Sequence, residues 1–170
     1  MPFDEACAFL GILFEDAPGF VGRLVRARPF ADEDELFARA EAIALRLPTA
    51  EAIELANAHP RLGAPRAAVS ALSAREQGYD RVQDDAGADG SDLTDRLEAL
   101  NRAYEERFGF RYCVFVAGRP REALIPEWEE RMASGDRDGE LERARRAVVA
   151  IARDRYRRLL AEEPRREATA

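Results

Sequence analysis

Residues 91–110 read SDLTDRLEALNRAYEERFGF, and this stretch decides the fold class. Its apolar side chains recur every three or four residues, which places them on one face of an α-helix. They are Leu93, Leu97, Leu100, Tyr104 and Phe108. Gly109 follows the last of them, and glycine commonly ends helices because it accepts a left-handed backbone. We therefore predict a strong amphipathic helix that ends at Gly109.

The same periodicity extends outward over most of the 170 residues. Further helices are predicted over residues 3–14, 32–47, 49–57, 73 onward, 120–132 and 136–160. Residues 82–90 are polar and contain glycine, so they are expected to form the most mobile loop. We expect an all-α, single-domain multi-helix bundle over residues 1–163, without an extended sheet, and a charged, frayed tail at 164–170.

One segment departs from the helical pattern. Residues 112–116 read YCVFV, a short β-branched and aromatic run that Gly118 and Pro120 close. Such a composition is typical of a strand, but no other segment offers a partner strand. The run is therefore either an extended buried segment or a helix imposed by its surroundings.

The composition excludes several classes of protein. There are 33 acidic and 26 basic residues, a net charge of −7, which argues against a nucleic-acid binder. No apolar run approaches the length of a membrane span, and the first residues lack the basic region of a signal peptide. Cys7 and Cys113 are isolated and expected to be reduced, and with a single histidine they form no zinc pattern. We expect a cytoplasmic, metal-free protein that binds neither nucleic acid nor membranes.

The single histidine, His59, lies in AHPRLG at residues 58–63, where two helical patterns break. Histidine is the side chain that changes its charge near neutral pH, so it is the usual proton donor or acceptor in catalysis. Pro60 disfavours a helical conformation at His59, and Gly63 keeps the following chain in a loop. A residue that merely ends a helix is the competing interpretation of His59.

Glu76 and Ser73 form the pattern S-x-x-E, which is typical of a helix-capping box. A carboxylate beside an imidazole also fixes the tautomer and favours the protonated ring, so Glu76 is a candidate partner for His59. The two interpretations are compatible. Gln77 offers an amide donor and acceptor suited to a urea group, although a solvated helix position is the simpler interpretation.

Arg155 falls on the apolar stripe of the last predicted helix, four residues after Ile151. An arginine on that side is costly unless it meets an anion or several acceptors, although its long side chain can also reach the rim of the core. No nucleophilic Ser or Cys lies beside a base, since Ser73 has no adjacent histidine and Cys113 lies in an apolar run. The set favours proton transfer on an anionic small molecule.

These motifs together resemble the OHCU decarboxylase (2-oxo-4-hydroxy-4-carboxy-5-ureidoimidazoline decarboxylase) family, over about residues 9–160. The family patterns are FE-x-x-P, R-P-F, H-P-x-[LI]-G, S-x-x-E-Q and N-x-x-Y-x-x-x-F-G-F. Here they correspond to residues 14–18, 28–30, 59–63, 73–77 and 101–110, followed by the apolar run and Gly118. Each motif is short, but their common order along the chain is specific.

The resemblance implies an all-helical, cofactor-free enzyme of urate degradation, commonly a homodimer, that produces (S)-allantoin from a small-molecule substrate. In the family the histidine of the H-P motif is the catalytic acid, here His59, oriented by Glu76. The late-helix arginine, here Arg155, would bond the substrate. The substrate-binding positions would be Pro60, Ser73, Gln77 and the run Tyr112, Cys113, Val114, Phe115 and Val116.

The chain departs from the family pattern in places. Arg111 stands where many members have proline or an apolar residue, and Ala147, Ala150 and Tyr156 replace usual residues of the last helix motif. Two alternatives therefore stay open: a paralogue that acts on another ureido or imidazolone acid, and a non-catalytic helical interaction module.

Overall fold

The computed structural model describes residues 1–15, 17–78 and 88–167, without the side chains of residues 66, 88–91 and 162–167. The described residues form eight α-helices and two short 3₁₀ turns, Arg66–Ala68 and Arg121–Leu124. The helices are α1 (Phe3–Leu13), α2 (Pro18–Arg26), α3 (Glu33–Leu45), α4 (Thr49–Ala58), α5 (Ala71–Glu76), α6 (Ala88–Phe108), α7 (Ile125–Ser134) and α8 (Arg137–Glu167). None of the described residues lies in a strand, so the predicted all-α class is confirmed.

The helix that decided the class ends as predicted. The backbone of Gly109 is left-handed, with φ +82°, and its N–H donates to the carbonyl of Glu105 at 2.8 Å. At the other end the expected loop 82–90 is partly wrong, because α6 already begins at Ala88. The first turn of a helix needs no apolar face, so a helix start predicted from apolar periodicity alone lies too late in the sequence. Residues 82–87 lie outside the described residues.

The chain divides into two compact units. The first, called here the terminal unit, contains residues 1–58 and 145–170, and the second, the central unit, contains residues 59–144. The prediction of one domain over residues 1–163 stays a prediction. Helix α8 continues to Glu167, residues 168–170 lie outside the described residues, and the fraying of the tail likewise stays a prediction.

Aromatic rings and arginine side chains hold the terminal unit together. The ring of Tyr156 on α8 meets the rings of Phe9 and Phe37 edge to face, at centroid distances of 6.2 and 5.7 Å. Arg145 donates to the carbonyls of Leu45 and Leu47 at 3.1 and 3.2 Å. These bonds satisfy carbonyls at and just beyond the end of α3, which has no further turn to accept them.

The centre of the other unit is the ring of Tyr104 on α6. It packs against Phe108, Phe110 and Tyr112, with centroids 4.6 to 5.9 Å away. Its hydroxyl donates to the carboxylate of the fully buried Glu140 at 2.7 Å. Of the apolar stripe predicted for residues 93–108, Leu97, Tyr104 and Phe108 are buried in this core, whereas Leu93 and Leu100 are half-buried. No helix among the described residues is long and apolar enough to cross a membrane.

Candidate active site

His59 is the first residue after α4 and begins the central unit. Its side chain is only 4% exposed, so it is not a solvated residue at a helix end. The helix stops at Ala58 because the proline at position 60 disfavours a helical His59. A buried imidazole on irregular backbone needs that backbone to be held, and the geometry of residues 59–63, called here the His59 loop, shows how.

Gln77 binds the His59 loop with both ends of its side-chain amide. Its Oε1 accepts from the N–H of Gly63 at 2.8 Å, and its Nε2 donates to the carbonyl of Arg61 at 3.2 Å. The side chain is buried, so the solvated position considered for Gln77 is wrong. One Nε2 hydrogen and one Oε1 lone pair remain beyond these two bonds.

Asn101 binds the same loop from the middle of α6. Its Nδ2 donates to the carbonyl of Leu62 at 2.9 Å and to the carbonyl of Leu97, one turn earlier on α6, at 2.8 Å. Gly63 packs directly on this turn: a Cβ added there would lie 2.8 Å from Leu97 Cδ1. The backbone of Gly63 is left-handed at φ +79°, so glycine is needed for both conformation and space.

Two arginines also take part in the contacts of the loop. Arg111 Nη1 donates to the carbonyl of His59 itself at 3.0 Å. The guanidinium of Arg61 pairs with both carboxylate oxygens of Glu105 on α6, at 2.7 and 2.5 Å. Arg111, which the sequence singled out as a departure from the family pattern, therefore acts on the backbone of the candidate catalytic residue.

Helix α5 carries the next group of candidates, but not in the predicted register. It begins at Ala71, and its N-cap is Ser70, three residues before the expected cap Ser73; the Ser70 side chain accepts from the N–H of Ser73 at 3.1 Å. The capping box of Ser73 and Glu76 is therefore wrong. Both serines suit an N-cap, and the structure uses the earlier one, which places Ser73 inside the helix, buried, and Glu76 at its last, half-buried position.

Residues 111–116 are neither helical nor paired as a strand, so the run is the extended segment, not the imposed helix. Tyr112, Cys113 and Val116 are buried. The ring of Tyr112 stacks on Trp128 of α7, with centroids 3.9 Å apart and an interplanar angle of 9°. This stacking anchors the segment on α7, and the carbonyls of Phe115 and Val116 accept from Arg119 at 3.0 and 3.1 Å.

A buried charge cluster also contacts the ring of Tyr112. The Arg131 guanidinium lies 4.7 Å from the centre of that ring and donates to Glu140 from Nε and Nη2, at 2.8 and 2.6 Å. Burial raises the pKa of Tyr112 to about 12, although the nearby Arg131 opposes the shift. Burial also disfavours ionised Glu140, but the bonds from Arg131 and Tyr104 outweigh it and hold the pKa of Glu140 below its usual range.

Arg155 belongs to the terminal unit, where it is 2% exposed. Its Nη2 forms an ion pair with Glu15 at 2.8 Å, and its Nη1 donates to the carbonyl of Leu13 at 3.2 Å. Of the two interpretations, a side chain at the rim and one that meets an anion and acceptors, the geometry agrees with the second. Glu15 adopts a left-handed backbone, φ +51°, which is uncommon for a residue with a side chain.

The structure brings together only some of the expected site residues. His59 and Pro60 lie on the His59 loop, and Gln77 binds that loop from the end of α5, the helix that carries Ser73 and Glu76. The run at 112–116 follows Arg111, which donates to the carbonyl of His59. Arg155 lies in the terminal unit, with Glu15 and Leu13 as its partners. The described residues contain no cluster of three or more His, Cys, Asp or Glu able to hold a metal ion.

In the sequence, Asn101 lies within a family motif without a predicted role, and neither Glu105 nor Glu15 has a predicted role. For Asn101 there was a usable signal, because it falls on the apolar stripe between Leu97 and Tyr104, where an amide is costly unless hydrogen-bonded. For Glu105 and Glu15 no such signal exists, since acidic residues are abundant in this chain.

Residues 1–157 match the family model described as OHCU decarboxylase. The chain belongs to this family. Membership confirms the predicted enzyme class, a decarboxylase (carboxy-lyase). Family membership also argues against the alternative of a non-catalytic helical interaction module, because the family is one of enzymes and the match spans both units of the chain.

Named relatives agree with the family model. The 2-oxo-4-hydroxy-4-carboxy-5-ureidoimidazoline decarboxylase of Mus musculus is 30% identical over 162 residues, which cover 94% of this chain and 89% of the relative. The enzyme of the same name from Amia calva is 27% identical over 136 residues, 79% of this chain and 76% of the relative. The uric acid degradation bifunctional protein PucL of Bacillus subtilis is 28% identical over 91% of this chain, which spans only 30% of that longer protein.

Two solved structures share the fold. A crystal structure of OHCU decarboxylase in the presence of (S)-allantoin superposes with a TM-score of 0.69 and 18% identity, over 90% of this chain and 97% of the other. A crystal structure of (S)-allantoin synthase gives a TM-score of 0.65 and 22% identity, over 95% of this chain and 50% of the other. At these identities the likeness concerns the fold.

Proposed function

We propose that this chain converts 2-oxo-4-hydroxy-4-carboxy-5-ureidoimidazoline to (S)-allantoin in urate degradation, without a cofactor. The observation that carries the proposal is the family match over residues 1–157, within which the single histidine is buried on a loop held by side chains. The mouse relative, matched over most of its length, carries the name of the same activity.

The reaction needs a fixed acid and a closed pocket. The bond between the ring carbon and the carboxylate breaks, CO₂ leaves, and the electron pair forms a C=C bond to the adjacent ring carbon while the C=N pair moves onto its nitrogen. That nitrogen takes up a proton, and the hydroxyl on the carbon that lost CO₂ gives up its proton and becomes the carbonyl as the adjacent carbon is protonated. His59 as imidazolium then delivers one proton to one face of a ring carbon, which sets the S configuration, and it regains a proton from solvent. An acid that selects one face must be held rigidly.

The remaining candidates take supporting roles in this proposal. Glu76 orients the imidazole and favours its protonated form. Hydrogen-bonding groups of the helix α5 region and of the extended run stabilise the charge that develops as CO₂ leaves, as preorganised donors do in other enzymes. Ser73, Gln77 and the backbone of the run Tyr112, Cys113, Val114, Phe115 and Val116 would hold the ureido and ring groups, and Pro60, which has no N–H to donate, would contact the substrate.

Arg155 would bind an anionic group of the substrate, and its burial favours an anionic partner. Glu15 already pairs with one of its nitrogens, so a substrate anion would share the guanidinium with Glu15 or displace it. A planar guanidinium has five N–H donors, which is enough for both partners.

Circular dichroism of the product tests the proposal. Freshly generated substrate is given to the wild type and to His59→Ala, and the appearance of (S)-allantoin is followed after subtraction of the reaction without enzyme. We expect a loss on the order of 10²- to 10⁴-fold, the usual contribution of a general acid. The assigned mechanism is wrong if His59→Ala forms (S)-allantoin as fast as the wild type.

The alternative substrate, another ureido or imidazolone acid, rested on Arg111. In the structure one nitrogen of Arg111 donates to the carbonyl of His59, so the presence of this residue has an explanation that requires no change of substrate. Parallel assays with such acids decide the point, since the proposal expects the highest kcat/KM with the named substrate. A homodimer and a cytoplasmic location remain part of the proposal.

A further inference from the structure

Side chains from elsewhere in the chain form hydrogen bonds to the backbone of the His59 loop. Four of its backbone groups are bound by side chains: the carbonyls of His59, Arg61 and Leu62, and the N–H of Gly63. The donors and acceptors come from three parts of the chain, α6, the C-cap of α5 and the start of the extended run. Side chains therefore determine the path of this irregular segment.

Asn101 makes the most constrained of these bonds. It is 2% exposed, and both Nδ2 hydrogens are used, one within α6 and one on Leu62. Its Oδ1 is buried with no hydrogen-bond partner among the described residues, which is costly for an amide. Any apolar residue would continue the stripe of α6 without that cost, so the amide is explained by its bond to the loop.

Arg111 acts at the residue that carries the imidazole. Its guanidinium reaches back over the loop to the carbonyl of His59, 52 positions earlier in sequence. A bond from a charged donor is stronger than one between neutral groups. Arg111 and Asn101 thus hold the loop at its first residue and near its last.

We propose that Arg111 and Asn101 are positioning residues that act through the backbone of the His59 loop to fix the imidazole for proton delivery. The inference rests on the proposed function for its catalytic consequence, but its structural part does not. Neither residue needs to touch the substrate. A displacement of about 1 Å in a reacting group lowers rates on the order of 10²-fold, so loss of either bond should lower kcat much more than it changes KM.

The single histidine provides a direct measurement. In protein labelled with ¹³C at histidine, the imidazole Cε1–H signal arises from His59 alone, so it needs no assignment. The variants are Arg111→Met, which keeps the apolar stem, and Asn101→Leu, which keeps most of the volume. The control is Arg96→Met on α6, because Arg96 is exposed and pairs with Glu129 instead of the loop.

In both loop variants we expect the imidazole signal to broaden or split, kcat to fall roughly 10- to 100-fold, and KM to change less than about twofold. Arg96→Met should match the wild type in all three. A single sharp signal at the wild-type position in Arg111→Met would overturn the inference. A broadened or split signal with an unchanged kcat would overturn it as well. If Asn101→Leu does not fold, Arg111→Met decides.

The two proposals fail in different ways. A wild-type protein that does not turn over the substrate overturns the proposed function, whereas the imidazole signal still reports whether Arg111 and Asn101 order the ring. A wild type that turns over the substrate, with loop variants equal to it in signal and kcat, overturns the positioning role alone.

Discussion

Gly63 shows how a single residue can fix the conformation of the loop that carries His59, the candidate acid. Its left-handed backbone turns the chain so that its own N–H meets Gln77, and the missing side chain lets the loop lie against Leu97 of α6. Conformation and close packing are separate requirements, and the chain contains a second glycine that has only the first. Gly78 has φ +78°, and no atom of the described residues lies within 4 Å of an added Cβ.

We predict that Gly63→Ala is more destabilising than Gly78→Ala. Each substitution places a side chain in the left-handed region, at a cost of about 1–2 kcal/mol, but only the first also displaces Leu97. Urea unfolding of both variants measures the difference, and Gly63→Ala should in addition lower kcat. Equal losses for the two variants would show that the loop does not lie tightly on α6.

At the scale of elements, α5 is the least self-sufficient part of the site. It is six residues long, well below the length at which an isolated helix is stable. Its N-cap therefore matters more than a cap on a long helix does. Ser73, Glu76 and Gln77 all depend on this helix for their positions.

We predict that Ser70→Ala destabilises the protein by about 1 kcal/mol, the usual value of a lost N-cap, and speeds hydrogen exchange of the α5 amides. The control is Ser134→Ala, an exposed serine whose hydroxyl donates only to the carbonyl of Glu130 at 2.9 Å. If the helix instead began after Ser73, as the S-x-x-E pattern indicates, Ser70→Ala would leave both measurements unchanged.

At the scale of the whole molecule, stability depends on a charge that the solvent does not reach. Arg131 contacts two carboxylates of very different environment: Glu140 is fully buried, and Glu127 is 43% exposed. Removal of one partner of a buried pair leaves an uncompensated charge, whereas an exposed pair contributes little.

We predict that Glu140→Gln lowers the free energy of unfolding by about 3 kcal/mol at pH 7, and Glu127→Gln by less than about 1 kcal/mol. Because the folded state holds the pKa of Glu140 below its unfolded value, the contribution is present above about pH 4.3 and is lost as the pH falls through the folded pKa. The gap between wild type and Glu140→Gln should therefore narrow in acid. A gap that stays constant from pH 7 to pH 3 would exclude this role of Glu140.

The fold class could be predicted from local patterns because each amphipathic helix shows the helical spacing of apolar residues within its own segment of sequence. Leu97, Tyr104 and Phe108 recur at helical spacing, and Gly109 adopts the left-handed backbone that ends the helix. The extended run at 112–116 was recognised as an exception for the same reason. Boundaries were less predictable: Ser70 and Ser73 both suit an N-cap, and the choice between them depends on which residue the core buries.

By itself, the sequence determined that this protein is helical, that His59 stands at a break between helices, and that its ordered motifs are those of the OHCU decarboxylase family. Only the tertiary structure decided that Asn101, Arg111 and Gln77 hold the His59 loop and that Glu15 pairs with Arg155. Periodicity and motifs are local properties of the chain. Hydrogen bonds between residues 14 to 142 positions apart depend on how the helices pack, which no local pattern records.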